Sequence, residues 1–320
     1  MPDPSEYVDD FGVPHYQLEA AVNIAARNVY SGQILPDGPP GSYYSDGRRA
    51  AISARSIAEF ADYSQLPADH QLYEPENTGA GTGRTPRESE RIHLYTSARG
   101  SVFHRHQELP AKAELSIGQL VREELSSPPP CDNWRDVHKT LADYNGAPLV
   151  DPPDSSIKTG REALVKAMVL EVTEARDIFR NEWGEIENWT VGREKPFLSD
   201  VDGYLFGGCV DRFSIVLDES SRYVGVFSTE LKFTDRIRSE HYLQAASYQH
   251  AFEPVSTVVR PLDAALVRID IEEGTCEIKT SQDSDWPDDA WSKFKAAYDR
   301  YFDKYPLANM WLQRSADTIK

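Results

Sequence analysis

The chain has 320 residues, 40% of them hydrophobic, enough to bury one large core or two modest ones. Its 52 acidic against 34 basic residues leave a formal charge of −18, and the 34 divide into 11 lysines and 23 arginines. No window approaches the roughly 18 consecutive apolar residues of a membrane-spanning helix, and the acidic start MPDPSEYVDDFG lacks the basic-then-apolar order of a secretory signal, so a cytoplasmic protein is expected.

An acid-rich, lysine-poor composition is that of salt-adapted proteins and also of many acidic mesophilic ones. It speaks at first against nucleic-acid partners, which draw on a basic surface. The objection weakens in brine, because at about 1 M salt the screening length is roughly 3 Å and distant carboxylates are scarcely felt at a local basic cleft. Cys131, Cys209 and Cys276 lie far apart, and neither a disulfide framework nor a zinc or iron–sulfur spacing can be read from them.

In chain order, residues 16–30 (YQLEAAVNIAARNVY) carry apolar positions at helical spacing, and the Gly- and Pro-rich SGQILPDGPPGSYYSDG after them reads as a loop. Residues 52–63 predict a short helix with Ser53 or Ser56 near its start. Residues 76–90 are polar and Gly-rich. No strand precedes these glycines and no Gly-Lys-Ser/Thr follows, so a surface loop is expected rather than a phosphate loop. Residues 100–125 are helix-prone but broken at Pro110.

Residues 160–183 predict the longest helix, with Leu164, Ala167, Met168, Ala175, Ile178 and Phe179 as its core face and Trp183 and Trp189 at the junction beyond. Then the pattern changes to strands: 193–200, 204–218 and 222–233 are rich in aromatic and β-branched residues. A helix at 239–252, a hairpin at 264–281 and an amphipathic helix at 288–302 complete the chain. The order implies a mixed α/β core with helices from the first half arranged around it.

The chemistry gathers between residues 209 and 248. Asp211 ends the run GGCVD on one strand, and Glu230 lies on the next, so a hairpin can set the two carboxylates side by side. Alternation puts Glu230 and Lys232 on one face and Leu231 on the other. The pattern E-x-K alone carries no information, since a chain of this composition yields about one by chance and a second copy stands at Glu277 and Lys279. Context separates the two. The first is followed by Arg236 and Arg238 and then by Gln244 and Tyr248, one helical turn apart; the second runs into the acidic SQDSDWPDD. In isolation Glu230 and Lys232 make an ion pair, and Gln244 and Tyr248 a brace between helix and sheet.

This ordered set resembles the RecB-like branch of the PD-(D/E)XK nucleases. There a G-x-(I/V)-D motif is followed by (D/E)-x-K and Q-x-x-x-Y, matched here by Gly208 to Asp211, by Glu230 to Lys232 and by Gln244 to Tyr248. GREKPF, with Glu194, is similar to the family's glutamate-bearing strand, and Gly100 with His104 to its early Gly-x-x-x-His; His106 stands nearby as an alternative. Residues 52–63 resemble the family's N-terminal serine-and-short-helix segment, but Tyr63 occupies the position of the cluster-bearing members' cysteine, which implies a member without an iron–sulfur cluster.

The resemblance implies a restriction-endonuclease-like core at residues 99–320 behind an N-terminal region at 1–98. His104 and Asp211 are 107 positions apart, which implies a helical insertion at about 110–190. If the helix at 160–183 is instead the core helix, Glu171 or Glu174 takes the place of His104. The implied cofactor is Mg²⁺ or Mn²⁺, held by Asp211, Glu230, the Leu231 carbonyl and His104, with Lys232 positioning the attacking water. Gln244, Tyr248, Arg236 and Arg238 are the implied contacts to single- or double-stranded DNA, and the surface around Lys232, Arg236 and Arg238 is expected to be locally positive. The implied activity is an exonuclease of recombination, repair or viral DNA processing, with a helicase or recombination protein as partner. The alternative is a non-catalytic nucleic-acid-binding subunit that keeps the fold.

Overall fold

The computed structural model describes Ala20 and residues 29–32, 42–45, 49–63, 86–108, 116–126, 134–145, 157–217, 223–233, 237–252, 262–306 and 308. The chain divides into two compact units. One comprises Met1–Ala68, Asn181–Arg268 and Cys276–Lys320; the other comprises Asp69–Arg180 and Ile269–Thr275. No described helix is long and apolar enough to cross a membrane.

The first unit is built on a mixed sheet of five strands in sequential order: β4 (Glu187–Val201), β5 (Tyr204–Leu217), β6 (Tyr223–Lys232), β7 (Leu262–Asp270) and β8 (Thr275–Thr280). β4 with β5 and β5 with β6 are antiparallel, whereas β6 and β7 are parallel. Parallel neighbours need a crossover, and the helix at Ser239–Phe252 supplies it. The turn from β4 to β5 is tight, with Asp202 and Gly203 both at positive φ.

A smaller antiparallel sheet, β1 (Val29–Gly32), β2 (Ser42–Ser45) and β3 (Arg49–Ile52), precedes helix α1 (Ala54–Tyr63). The Ser53 hydroxyl accepts a hydrogen bond from the Ser56 amide at 3.0 Å, the cap expected from the sequence. Ser53 also bridges to Gly207 of β5, which fixes the start of α1 against the sheet.

The second unit holds α2 (Pro86–Glu108), α3 (Ile117–Glu124), α4 (Trp134–Asn145) and most of α5 (Ile157–Ile186). Of the expected core face of α5, Leu164, Ala167, Met168, Ala175 and Phe179 are buried, and Ile178 only partly so. Ser116 and Gln119 form a reciprocal capping box at the start of α3.

In the sheet unit, α1, the crossover helix α6 (Ser239–Phe252) and α7 (Ala290–Lys304) share one core with the strands. Ile57, Phe197, Phe206, Phe213, Leu243, Phe252 and Phe294 are its large side chains. The Phe197 ring stands edge-on to Phe206, Tyr248 and Phe252 at centroid distances of 6.0, 5.3 and 5.3 Å.

Several expectations need correction. Residues 29–30 and 42–45, read as the end of a helix and as loop, are strands; four-residue strands place two side chains on each face, too few to display alternation. The helix expected from residue 100 begins at Pro86, where proline suits a first turn. α4 was not foreseen. The rest of the helix at 16–28, apart from helical Ala20, together with the loop at 76–85, Pro110 and Cys131, lies outside the described residues.

Candidate active site

The site forms where the β5–β6 ladder ends. The last pair in register is Arg212 with Thr229. Beyond it the Leu231 amide donates to Asp211 Oδ2 at 2.7 Å, so a side-chain carboxylate replaces the backbone acceptor of a regular sheet. The N–H and C=O of a residue in an extended strand point to the same side, so the Leu231 carbonyl also looks toward β5.

Glu194 occupies the position of β4 opposite Asp211, between the pairs Arg193 with Arg212 and Lys195 with Val210. Its φ of 44° is left-handed, a conformation that costs a non-glycine residue on the order of 1–3 kcal/mol. The carboxylate oxygens of Glu194 and Asp211 come within 4.8 Å of each other. Cys209, two residues before Asp211 on the same strand, donates its S–H to Glu194 Oε2 at 3.3 Å. Burial first, and then the charge of Glu194, its hydrogen bond and the charges of Asp211 and Glu230, push the Cys209 thiol up, which places all three carboxylates within electrostatic reach of one sulfur.

Beside this pair runs a buried polar chain. Lys232 Nζ donates to Glu230 Oε1 at 2.6 Å and to Gln244 Oε1 at 3.1 Å, and Gln244 Nε2 donates to the Tyr248 hydroxyl at 2.6 Å. Glu230, Gln244 and Tyr248 are 4, 5 and 3% exposed, and the Lys232 side chain 13%. Removing one partner of such an ion pair leaves a buried charge and costs about 3–5 kcal/mol. The second E-x-K is arranged differently: Glu277 pairs with Arg268, and Lys279 with the exposed Asp285.

The site residues expected on the sheet unit are therefore brought together: Asp211 with Leu231, and Glu230 with Lys232, Gln244 and Tyr248. Glu194, singled out by resemblance alone, is the neighbour that Asp211 acquires, while Glu230 turns an oxygen to Lys232. Arg238 precedes α6, where its amide donates to His241 Nδ1 and its half-exposed guanidinium lies 3.8 Å from Glu240. Arg236 lies outside the described residues. The expected positive surface loses Lys232, whose charge is buried against Glu230.

In the helical unit, His104 is half-buried on α2, and Glu171 of α5 is tied to Arg99 at 2.8 Å, while Glu174 is exposed. Sequence reasoning passed over Cys209 and also Arg55, an exposed residue of α1 within electrostatic reach of Glu230 and Tyr248. For Cys209 a signal existed in its i, i+2 relation to Asp211. No such spacing relates Arg55 to the site.

The donor chemistry suits a hard divalent cation. Two carboxylates and a backbone carbonyl are oxygen ligands of the kind Mg²⁺ and Mn²⁺ take, and two oxygens at about 2.1 Å from one ion lie about 3 to 4.2 Å apart. No protein-family model matches the chain, and no curated protein matches its sequence.

Proposed function

We propose that this protein is a metal-dependent nuclease of the PD-(D/E)XK, RecB-like type, acting on the phosphodiester bonds of DNA. The observation that carries the reading is the close approach of Glu194 and Asp211 beside the buried chain Glu230–Lys232–Gln244–Tyr248. Glu194, Asp211 and the Leu231 carbonyl would hold Mg²⁺ or Mn²⁺, with Glu230 lending its charge. His104 is included as a further ligand on the strength of its Gly100-x-x-x-His104 setting alone. When bound, the cation supplies charge neutralisation at phosphate and acidification of water.

The side chains then have separable tasks. An ammonium carries three protons, and Lys232 uses two on Glu230 and Gln244, which fixes the direction of the third toward a water or phosphate oxygen. Gln244 is locked at both ends, because its oxygen accepts from Lys232 while its nitrogen donates to Tyr248. The Tyr248 hydroxyl accepts that bond and so holds the Gln244 amide in place beside Lys232. Arg238, exposed at the start of α6, adds a guanidinium fork that matches phosphate geometry.

The test is cleavage of labelled single- and double-stranded DNA with Mg²⁺, Mn²⁺ or EDTA, at low and molar salt. Metal-dependent cleavage is expected, abolished in Asp211→Ala and lowered about 10²- to 10⁴-fold in Lys232→Ala, with circular dichroism to establish that each variant is folded. Cleavage undiminished in His104→Ala removes that histidine from the ligand set. DNA binding without cleavage under any condition, unchanged in these variants, replaces the nuclease by the accessory subunit.

A further inference from the structure

Glu194 is an exception in its strand. Its backbone is left-handed although the β4–β5 register continues unshifted from Arg193–Arg212 to Lys195–Val210 on either side, and its carboxylate comes within 4.8 Å of that of Asp211. A glutamate side chain has three rotatable bonds, and a strained backbone alone does not fix the rotation of the carboxylate at its end. One group that holds it is the Cys209 thiol, 3.3 Å from Oε2. Cys209 pairs with Pro196 across the two strands, so the thiol approaches Glu194 from the diagonal position, on the strand that carries Asp211.

We infer that Cys209 is a positioning residue of the metal centre: its S–H anchors one oxygen of Glu194 and so sets the carboxylate's rotation beside Asp211. The inference rests on the metal-centre reading above and deepens it. Outer partners that orient a ligating carboxylate govern the affinity of a metal site nearly as strongly as the ligands do. A thiol also donates more weakly than a hydroxyl or an amide, so Glu194 keeps most of its negative charge for a cation. Cys209 is the donor and does not itself bind the ion.

The experiment is Mn²⁺ binding to the full chain, followed by calorimetry and by the electron paramagnetic signal of the free ion, in wild type, Asp211→Asn, Cys209→Val and Cys209→Ser. Valine fills the thiol's space without a donor, and serine restores one. Binding lost in Asp211→Asn, weakened about tenfold in Cys209→Val and recovered to within about twofold in Cys209→Ser supports the inference. Equal affinity in wild type and Cys209→Val overturns it while leaving the metal centre intact. Absence of Asp211-dependent binding in wild type removes the metal-centre reading itself. Equal weakening in the Val and Ser variants, accompanied by equal loss of thermal stability, marks Cys209 as packing only. A sulfur-to-cadmium charge-transfer band that disappears in Cys209→Ser makes Cys209 a ligand and equally overturns the positioning role.

Discussion

Gly208 ties the packing of the sheet unit to the candidate site. A Cβ at this position would stand 2.7 Å from Phe197 Cε1 and Cζ and 2.8 Å from Tyr248 Cε1, closer than real contacts allow. The Phe197 ring is already wedged edge-on among Phe206, Tyr248 and Phe252 and has little room to retreat. Gly208→Ala is therefore expected to lower stability by about 1–3 kcal/mol in urea unfolding. It also displaces Tyr248 from Gln244, so DNA cleavage falls further than stability alone explains; an unchanged urea midpoint would mean that the rings yield freely. Nothing in the order of residues announces an aromatic ring pressed against the backbone of Gly208. Asp211, Glu230, Lys232, Gln244 and Tyr248 were legible because strand alternation and the helical turn fix their faces locally. Glu194 beside Asp211 was not, since it depends on the register of β4 against β5, and alternation within one strand says nothing of register.

At the scale of elements, legibility followed length and environment. β5 and β6 and the crossover helix α6 are long and flanked by turn or capping residues, and they stand where the sequence placed them to within a residue or two. β4 begins at Glu187, well before the expected residue 193, because pairing with Val216 of β5 recruits Glu187, a residue type with little preference of its own for a strand. α4 was missed although Trp134, Val137, His138 and Leu141 recur at helical spacing. That helix carries a testable pH dependence. His138 is buried, its Nε2 has no hydrogen-bond partner among the described residues, and burial lowers its pKa below the usual histidine value. A folded-state pKa below the unfolded one means that the unfolded chain binds the proton more readily. The contribution of His138 to stability is then full above about pH 6.5 and is lost as the pH falls through the lower folded value. Melting temperature is expected to drop between about pH 7.5 and about pH 5.5, and to drop less in His138→Leu. Equal slopes in the two proteins would exclude this histidine as the source.

For the whole molecule the governing quantity is the charge of −18. Like charges in excess repel one another in the compact state more than in the expanded one, so at low ionic strength they lower stability. Opposing this are surface ion pairs such as Arg55–Glu59, Arg105–Glu123 and Lys293–Asp289, each exposed. Such pairs contribute little individually and are screened by the same salt. The two effects therefore move in opposite directions when salt is added, and the surplus of 18 acidic residues decides which prevails. Between about 0.01 M and about 1 M salt the screening length falls from roughly 30 Å to roughly 3 Å, which removes repulsion across the molecule and leaves the buried Glu230–Lys232 pair almost untouched. Melting temperature is expected to rise by several degrees over that range in sodium chloride and by a similar amount in potassium chloride, since screening depends on ionic strength and not on the identity of the ion. A fall would show that the ion pairs outweigh the net charge. A rise in one salt alone would point to bound cations, and repeating the titration in Asp211→Asn would then show whether the candidate site is where they bind.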